Sequence, residues 1–251
     1  MTGGPTLFAR FAFPPNALGY CGPADVGVVA ELASGGMEAV GELREAATAF
    51  AGAWPYLELI GGQLRLDPLD ETVVEAYWLG HQRLGEIDLL TWGNSVDARF
   101  RDRAGWDWTR VVDGLNAGGV PTHAFHVFCV YPWVGLLRAG AVEQSLEVLD
   151  RCRIRWGEVV GRSNDGVLVS SQPLTWDGSE IGLGPPRVES VDRPIDPSHA
   201  ELVAGDLVAL HWNYVCQSIT PAQRRTLRQS HDRHVAIVNQ AGRHLAAWVE
   251  R

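Results

Sequence analysis

The sequence predicts an α+β protein: an N-terminal helical domain, then a small OB-like β-barrel, then a C-terminal helix. Three observations lead there. Apolar residues recur at helical spacing as far as about residue 149. After Asp150 the chain breaks into short β-prone runs separated by Gly turns, the pattern of a small barrel and not of an α/β sheet. Thr220-Pro221-Ala222-Gln223 combines an N-cap Thr, a Pro at the first helical position and a Gln at the third, so a long helix should start there and run towards Trp248. The expected units are residues 1–149, rich in Trp; residues 150–220, the barrel; and residues 221–251, a helix packed on the rest.

In the first unit, Leu7 to Pro23 opens on apolar and aromatic positions and then meets Pro14, Pro15, Gly19 and Gly22. That composition favours an ordered, turn-rich segment over a helix. From Ala24 to about Gly52 two helices are expected, split by Gly35-Gly36. Asp70-Glu71 open another, with Val73, Val74, Tyr77 and Trp78 on one side and an acidic first turn that suits the helix dipole. Trp106 to Leu115 is a short helix closed by Gly118-Gly119. Thr122 to Leu137 follows Pro121 as a largely apolar helix that Pro132 kinks or ends, and Val142 to Leu149 completes this half. In the second unit the strands are Arg151 to Val160, Val167 to Ser171, Ile181 to Leu183, Arg187 to Val191 and the run from Leu207 to Cys216. Turns are expected at Asn164-Asp165-Gly166 and Asp177-Gly178, with a polar loop over 192–200.

Apolar residues make up 46% of the 251, and charged residues 20%, a globular balance. A net charge of −9 argues against nucleic acid as a partner, since phosphate contacts need clustered basic residues. No lysine is present, so every basic side chain is Arg apart from His. Residues 1–20 do not read as a signal peptide and no run approaches the ~20 apolar residues of a membrane span. A cytoplasmic protein with no membrane partner is expected. Cys21, Cys129, Cys152 and Cys216 lie far apart, so reduced thiols are expected in place of a disulfide framework.

Two constellations can carry chemistry. Along the strand from Leu207, Ala209 and His211 face one way while Val208 and Leu210 face the other. With Cys152, His211 offers a thiolate and an imidazole to a soft or borderline metal such as low-spin iron, zinc or copper. His123 and His126 share a helix face at i and i+3 in apolar surroundings that would lower their pKa. Cys21, set in Gly-Tyr-Cys-Gly-Pro, could be activated by backbone N–H groups, and would make a cysteine hydrolase arrangement if it met either His. Packed cores and satisfied histidines account for the same residues without function. Cys129 reads as plain core, and His231 and His234 as solvated. The Trp residues (Trp54, Trp78, Trp92, Trp106 and Trp108 in the helical half) fill a core or line a pocket.

The segment from Cys152 to Val160 resembles the opening of the HypC-type hydrogenase maturation chaperones, which begin Met-Cys, then an apolar run. Gly205-Asp206-Leu207-Val208-Ala209-Leu210-His211 is similar to that family's Gly-Asp-Tyr-Val-x-Val-His strand, and Tyr214, Ile219 and the helix from Pro221 echo its ending. The likeness covers roughly residues 151–232. It implies a small barrel whose Cys152 and His211 hold an iron fragment carrying cyanide and carbonyl ligands, with the hydrogenase large subunit or maturation proteins as partners. Here the Cys is internal, Trp156 stands where the family has Pro, and Trp212-Asn213 replace small residues. Further stretches, among them Phe8 to Pro23 and Pro121 to Phe128, make the whole chain resemble a bacterial group associated with nickel–iron hydrogenase gene clusters.

The leading expectation is therefore an accessory or assembly protein for nickel–iron hydrogenase maturation, with Cys152 and His211 gripping one metal fragment on an accessible surface. The alternatives are an enzyme using Cys21, His123 and His126, and a structural partner protein that keeps only the barrel fold. Homo-oligomerisation is left open.

Overall fold

The computed structural model describes residues 3–36, 40–104, 108–163, 166–192, 194 and 201–249. Trp106 and the turn residues Asn164 and Asp165 lie outside them, as do residues 195–200 of the expected polar loop. The protein is α+β, with helices, then β-structure, then a final helix.

The helical half contains α1 (Gly4–Ala17), α2 (Gly27–Ala33), α3 (Val40–Thr48), α4 (Trp54–Leu64), α5 (Glu71–Trp78), α6 (Leu89–Ala104), α7 (Trp108–Asn116), α8 (His123–Phe125), α9 (Trp133–Arg138) and α10 (Val142–Cys152). Asp70 caps α5 by accepting from the Thr72 amide at 2.8 Å, as its sequence suggests. The segment expected to be turn-rich is instead α1, a helix buried along most of its length. Pro5 lies in its first turn, where no amide is needed. Pro14 and Pro15 lie in its last turn, where a missing N–H leaves an upstream carbonyl open. The helix expected from Thr122 to Leu137 is broken as foreseen at Pro132. Between α8 and α9, His126–Val130 forms a wide π turn closed by the Tyr131 amide on the His126 carbonyl at 3.0 Å.

The β-part has β1 (Arg155–Arg162), β2 (Gly166–Ser171), β3 (Leu174–Trp176), β4 (Ile181–Leu183), β5 (Arg187–Asp192), β6 (Leu207–His211) and β7 (Tyr214–Ser218). Five of these pair in the order β1-β2-β5-β7-β6, with β6 returning to β1, while β3 and β4 form a separate hairpin across the Asp177-Gly178 turn. The strand expected from Arg151 begins only at Arg155, because α10 continues through Cys152.

The final helix, α11 (Pro221–Val249), starts with the expected reciprocal cap. The Thr220 amide donates to Gln223 Oε1 at 2.9 Å, and the Gln223 amide donates to Thr220 Oγ1 at 3.2 Å. The two histidines expected to be solvated are not. His231 and His234 are buried, His234 Nδ1 donating to the Ser230 carbonyl and its Nε2 accepting from the Val120 amide, because this face packs on the helical half. No helix among the described residues is long and apolar enough to cross a membrane.

One core joins the parts. Val208 and Leu210 belong to the apolar cluster inside the strand ring, whereas Ala209 on the opposite face joins Phe8, Tyr77 and Phe128 in the main core. The period-two reading of β6 therefore sends His211 towards the helices. A buried ion pair fastens this seam: Asp150 accepts from Arg153 at 2.8 Å and from the Leu174 amide at 2.9 Å. Arg155 pairs with Glu189 nearby.

Candidate metal centre

Three buried donors converge at the seam. Ligand atoms of His123, Cys152 and His211 all lie within 4.8 Å of one another. They come from α8, the last residue of α10 and the last residue of β6, so the fold and not a local motif assembles them.

Each histidine is set by a carbonyl that its helix cannot use. Pro15 has no N–H to give the Phe11 carbonyl four residues back, and His211 Nδ1 takes that carbonyl at 2.7 Å. A carbonyl only accepts, so His211 carries its proton on Nδ1 and presents a lone pair at Nε2. That Nε2 makes no hydrogen bond among the described residues, although the Cys152 carbonyl lies near enough to favour the ring's cation. The Cys152 carbonyl is itself one of the last of α10, without an intrahelical partner, and His123 Nε2 meets it at 2.7 Å. The other His123 nitrogen, Nδ1, faces the Tyr77 hydroxyl at 3.1 Å, and that hydroxyl also reaches the Gly52 carbonyl at 2.8 Å. The carbonyl on His211 Nδ1 is the usual outer support of a metal-ligating histidine, whereas His123 would have to give up one of its two contacts to ligate.

Burial keeps all three groups neutral in the absence of a cation. It lowers His123 to about 4 and holds His211 well below the usual imidazole range, with the neighbouring His123 adding to the effect. It pushes the Cys152 thiol far up, helped slightly by Cys21. A bound metal would invert this, since coordination deprotonates a thiol outright.

The donors open on a cavity of about 290 Å³ that Cys21 and His126 also line. The two constellations expected to be rivals thus share one space. Aromatic side chains wall it: Trp78 lies 4.8 Å from the His123 ring and 5.6 Å from the His211 ring, and the exposed Tyr20 stacks on Trp212 at 4.1 Å. His126 is held apart from the donor group by the Tyr56 hydroxyl at 3.0 Å from Nδ1, with its other nitrogen pressed on Gly52, where a Cβ would come within 2.7 Å.

Two expectations need correction. Cys152 and His211 are neighbours but are not on an accessible surface, being 8% and 1% exposed beneath the helical half. The Cys21 thiol is not activated: burial raises it to about 11, and no cation or N–H among the described residues offsets the loss of water. Sequence reasoning missed that His123 joins Cys152 and His211, and missed Tyr77 as its support. Their contacts span long stretches of chain. Cys129 is core as expected, its thiol pushed up to about 12 by burial. Trp78 lines the cavity, whereas Trp92 is a core residue donating to the Gly119 carbonyl at 3.0 Å.

The fold and its seam define a class of α+β protein with a sequestered His/Cys/His donor group facing an aromatic cavity. The chain belongs to the family of unknown function DUF6390, whose model matches residues 1–244. No curated protein and no solved structure matches it.

Proposed function

We propose that this protein is an accessory factor of nickel–iron hydrogenase maturation that holds an iron fragment at Cys152, His211 and His123. The observation that carries the reading is the meeting of two imidazoles and a thiol, one imidazole with a carbonyl-fixed proton and an unused lone pair, in the lining of an aromatic cavity. A thiolate with imidazoles is a donor set for low-spin iron or another borderline metal. Three protein donors leave coordination positions for small non-protein ligands, and the cavity gives those ligands room. The resemblance of residues 151–232 to HypC-type chaperones supplies iron with cyanide and carbonyl as the fragment. In keeping with it, we read the ring β1-β2-β5-β7-β6 as OB-like: counted as barrel strands alone, its order is 1-2-3-5-4.

Burial changes how such a carrier would work. A free chain end can hand its cargo over, whereas the donors here are buried, so release calls for the cavity lining, Tyr20, Cys21 and Trp212 among it, to move as a partner docks. The partners are the hydrogenase large subunit or maturation proteins, in the cytoplasm, where the four free thiols stay reduced. The enzyme reading keeps one supporting fact, that Cys21, His123 and His126 line the same cavity. A raised thiol and lowered imidazole disfavour the thiolate–imidazolium pair it requires.

The test is purification of the full chain from a hydrogenase-producing host. The expected result is stoichiometric iron with infrared bands of diatomic ligands, together with co-purifying hydrogenase or maturation proteins. Iron-free protein that captures none of them overturns the function.

A further inference from the structure

Two polar groups of the cavity have no role in holding the metal itself. Trp78 and Trp212 both line it, are 4% and 8% exposed, and their indole Nε1–H groups meet no acceptor among the described residues. A buried donor without an acceptor is destabilising unless something else enters to accept its proton. Trp212 carries a second anomaly. It is the first residue of the two-residue turn Trp212-Asn213, since His211 pairs with Tyr214 across it. Its φ is +52°, a region where glycine is the ordinary choice and a bulky side chain is strained. Backbone needs do not explain a tryptophan there. Its amide donates to the Arg151 carbonyl at 2.8 Å and its carbonyl accepts from Arg155 at 2.5 Å, bonds that any residue could make. Stacking on Tyr20 accounts for an aromatic ring, which phenylalanine would supply as well. Only the indole N–H is left unexplained.

We propose that Trp78 and Trp212 are the hydrogen-bond donors of a pocket for a small anionic ligand that occupies the metal's open coordination position. This rests on the metal reading above and adds the ligand to it. The cavity of about 290 Å³ is at the lower end for organic ligands, and suits a species of a few atoms. Its walls are largely aromatic, and the two indoles add N–H donors, unpartnered among the described residues, to the Tyr, His and Cys groups that also line it. Trp78 packs against both histidine donors, and Trp212 follows His211 directly, so both belong to the immediate surroundings of the centre. Binding is coordination alone: one ligand lone pair enters the metal and another accepts N–H, with no bond broken and no electron transferred.

The full chain loaded with cobalt(II) is titrated with azide, reading the visible ligand-field bands. Zinc-loaded protein labelled with ¹⁵N at the indoles is titrated in parallel. Azide is expected to shift the cobalt bands and to move two of the ten indole N–H signals. Trp78→Phe and Trp212→Phe should each weaken azide binding about tenfold, with cobalt affinity measured separately on each variant. If either variant fails to fold, the indole signals of the unmodified chain decide. Azide that leaves the cobalt bands unchanged, or binds without moving either indole, overturns the pocket while the metal centre stands. Failure to take up cobalt at all removes the centre, and the pocket with it.

Discussion

Both ring nitrogens of His123 are engaged, and the protons along its contacts fall one short. The chain runs from the Cys152 carbonyl through His123 to the Tyr77 hydroxyl and on to the Gly52 carbonyl. Its two ends only accept. A neutral imidazole and a phenol bring two protons to three contacts, so either the Gly52 carbonyl goes unserved or a bare Nε2 faces the Cys152 carbonyl at 2.7 Å. A metal at Nε2 removes the shortage. The imidazole proton would then sit on Nδ1 and be given to Tyr77, whose own proton goes to Gly52, while the Cys152 carbonyl gives up its contact with Nε2. Tyr77→Phe should therefore weaken metal binding roughly 10–100-fold, the usual effect of losing such a support. Cobalt titration measures this, and ¹⁵N shifts of His123 should show the proton moving from Nε2 to Nδ1 on zinc loading. An unchanged affinity in Tyr77→Phe would mean that the phenol only packs.

At the level of elements, the decisive device is the paired proline at the end of α1. Its cost to the helix is a lost internal bond, and its benefit is a free Phe11 carbonyl that orients His211. Pro15→Ala would restore a competing amide. The expected result is an equally folded helix with metal affinity reduced several-fold, read by the same titration; unchanged affinity would show that His211 keeps its orientation without that carbonyl. This is also where sequence reading failed. Pro14-Pro15 suggested turns because local propensity was weighed without the apolar face that buries Leu7, Phe8 and Phe11. Elements fixed by short-range chemistry were legible: the helix start at Asp70-Glu71, the Thr220–Gln223 box, the break at Pro132 and the side-to-side alternation of β6. The alternation grouped His211 with Ala209, but the accessible surface expected for His211 proved to be the buried seam. That His123 meets Cys152 and His211 was not legible, because three elements distant in sequence bring them together and no spacing rule records it. Trp212 was a signal that passed unused, a bulky residue where the hairpin asks for glycine.

Across the whole molecule, the helical half and the strand ring share a core, so the centre and the fold stand or fall together. Acid should reveal this. His123 is lowered to about 4 and His234 to about 3, and His211 and His231 are lowered as well, against 6.5 unfolded. The unfolded chain therefore binds more protons below pH 6.5, and stability present above that value is lost as pH falls. The loss is roughly 2 kcal/mol each for His123 and His234 by pH 5. At the alkaline end the buried thiols, Cys129 among them at about 12 against 9.0, release their protons first in the unfolded chain, so stability also falls above about pH 9. Denaturant unfolding from pH 4 to 10 should give a plateau between those limits; a flat response through pH 5 would show that the histidines are not sealed. The order of the donors along the chain has a consequence for biosynthesis. His123 and Cys152 leave the ribosome well before β6 carries out His211, and the Phe11 carbonyl waits from the start for a partner that arrives near the end. A nascent chain thus has no complete donor set, and on the proposed reading cargo would reach a finished molecule, after translation has ended.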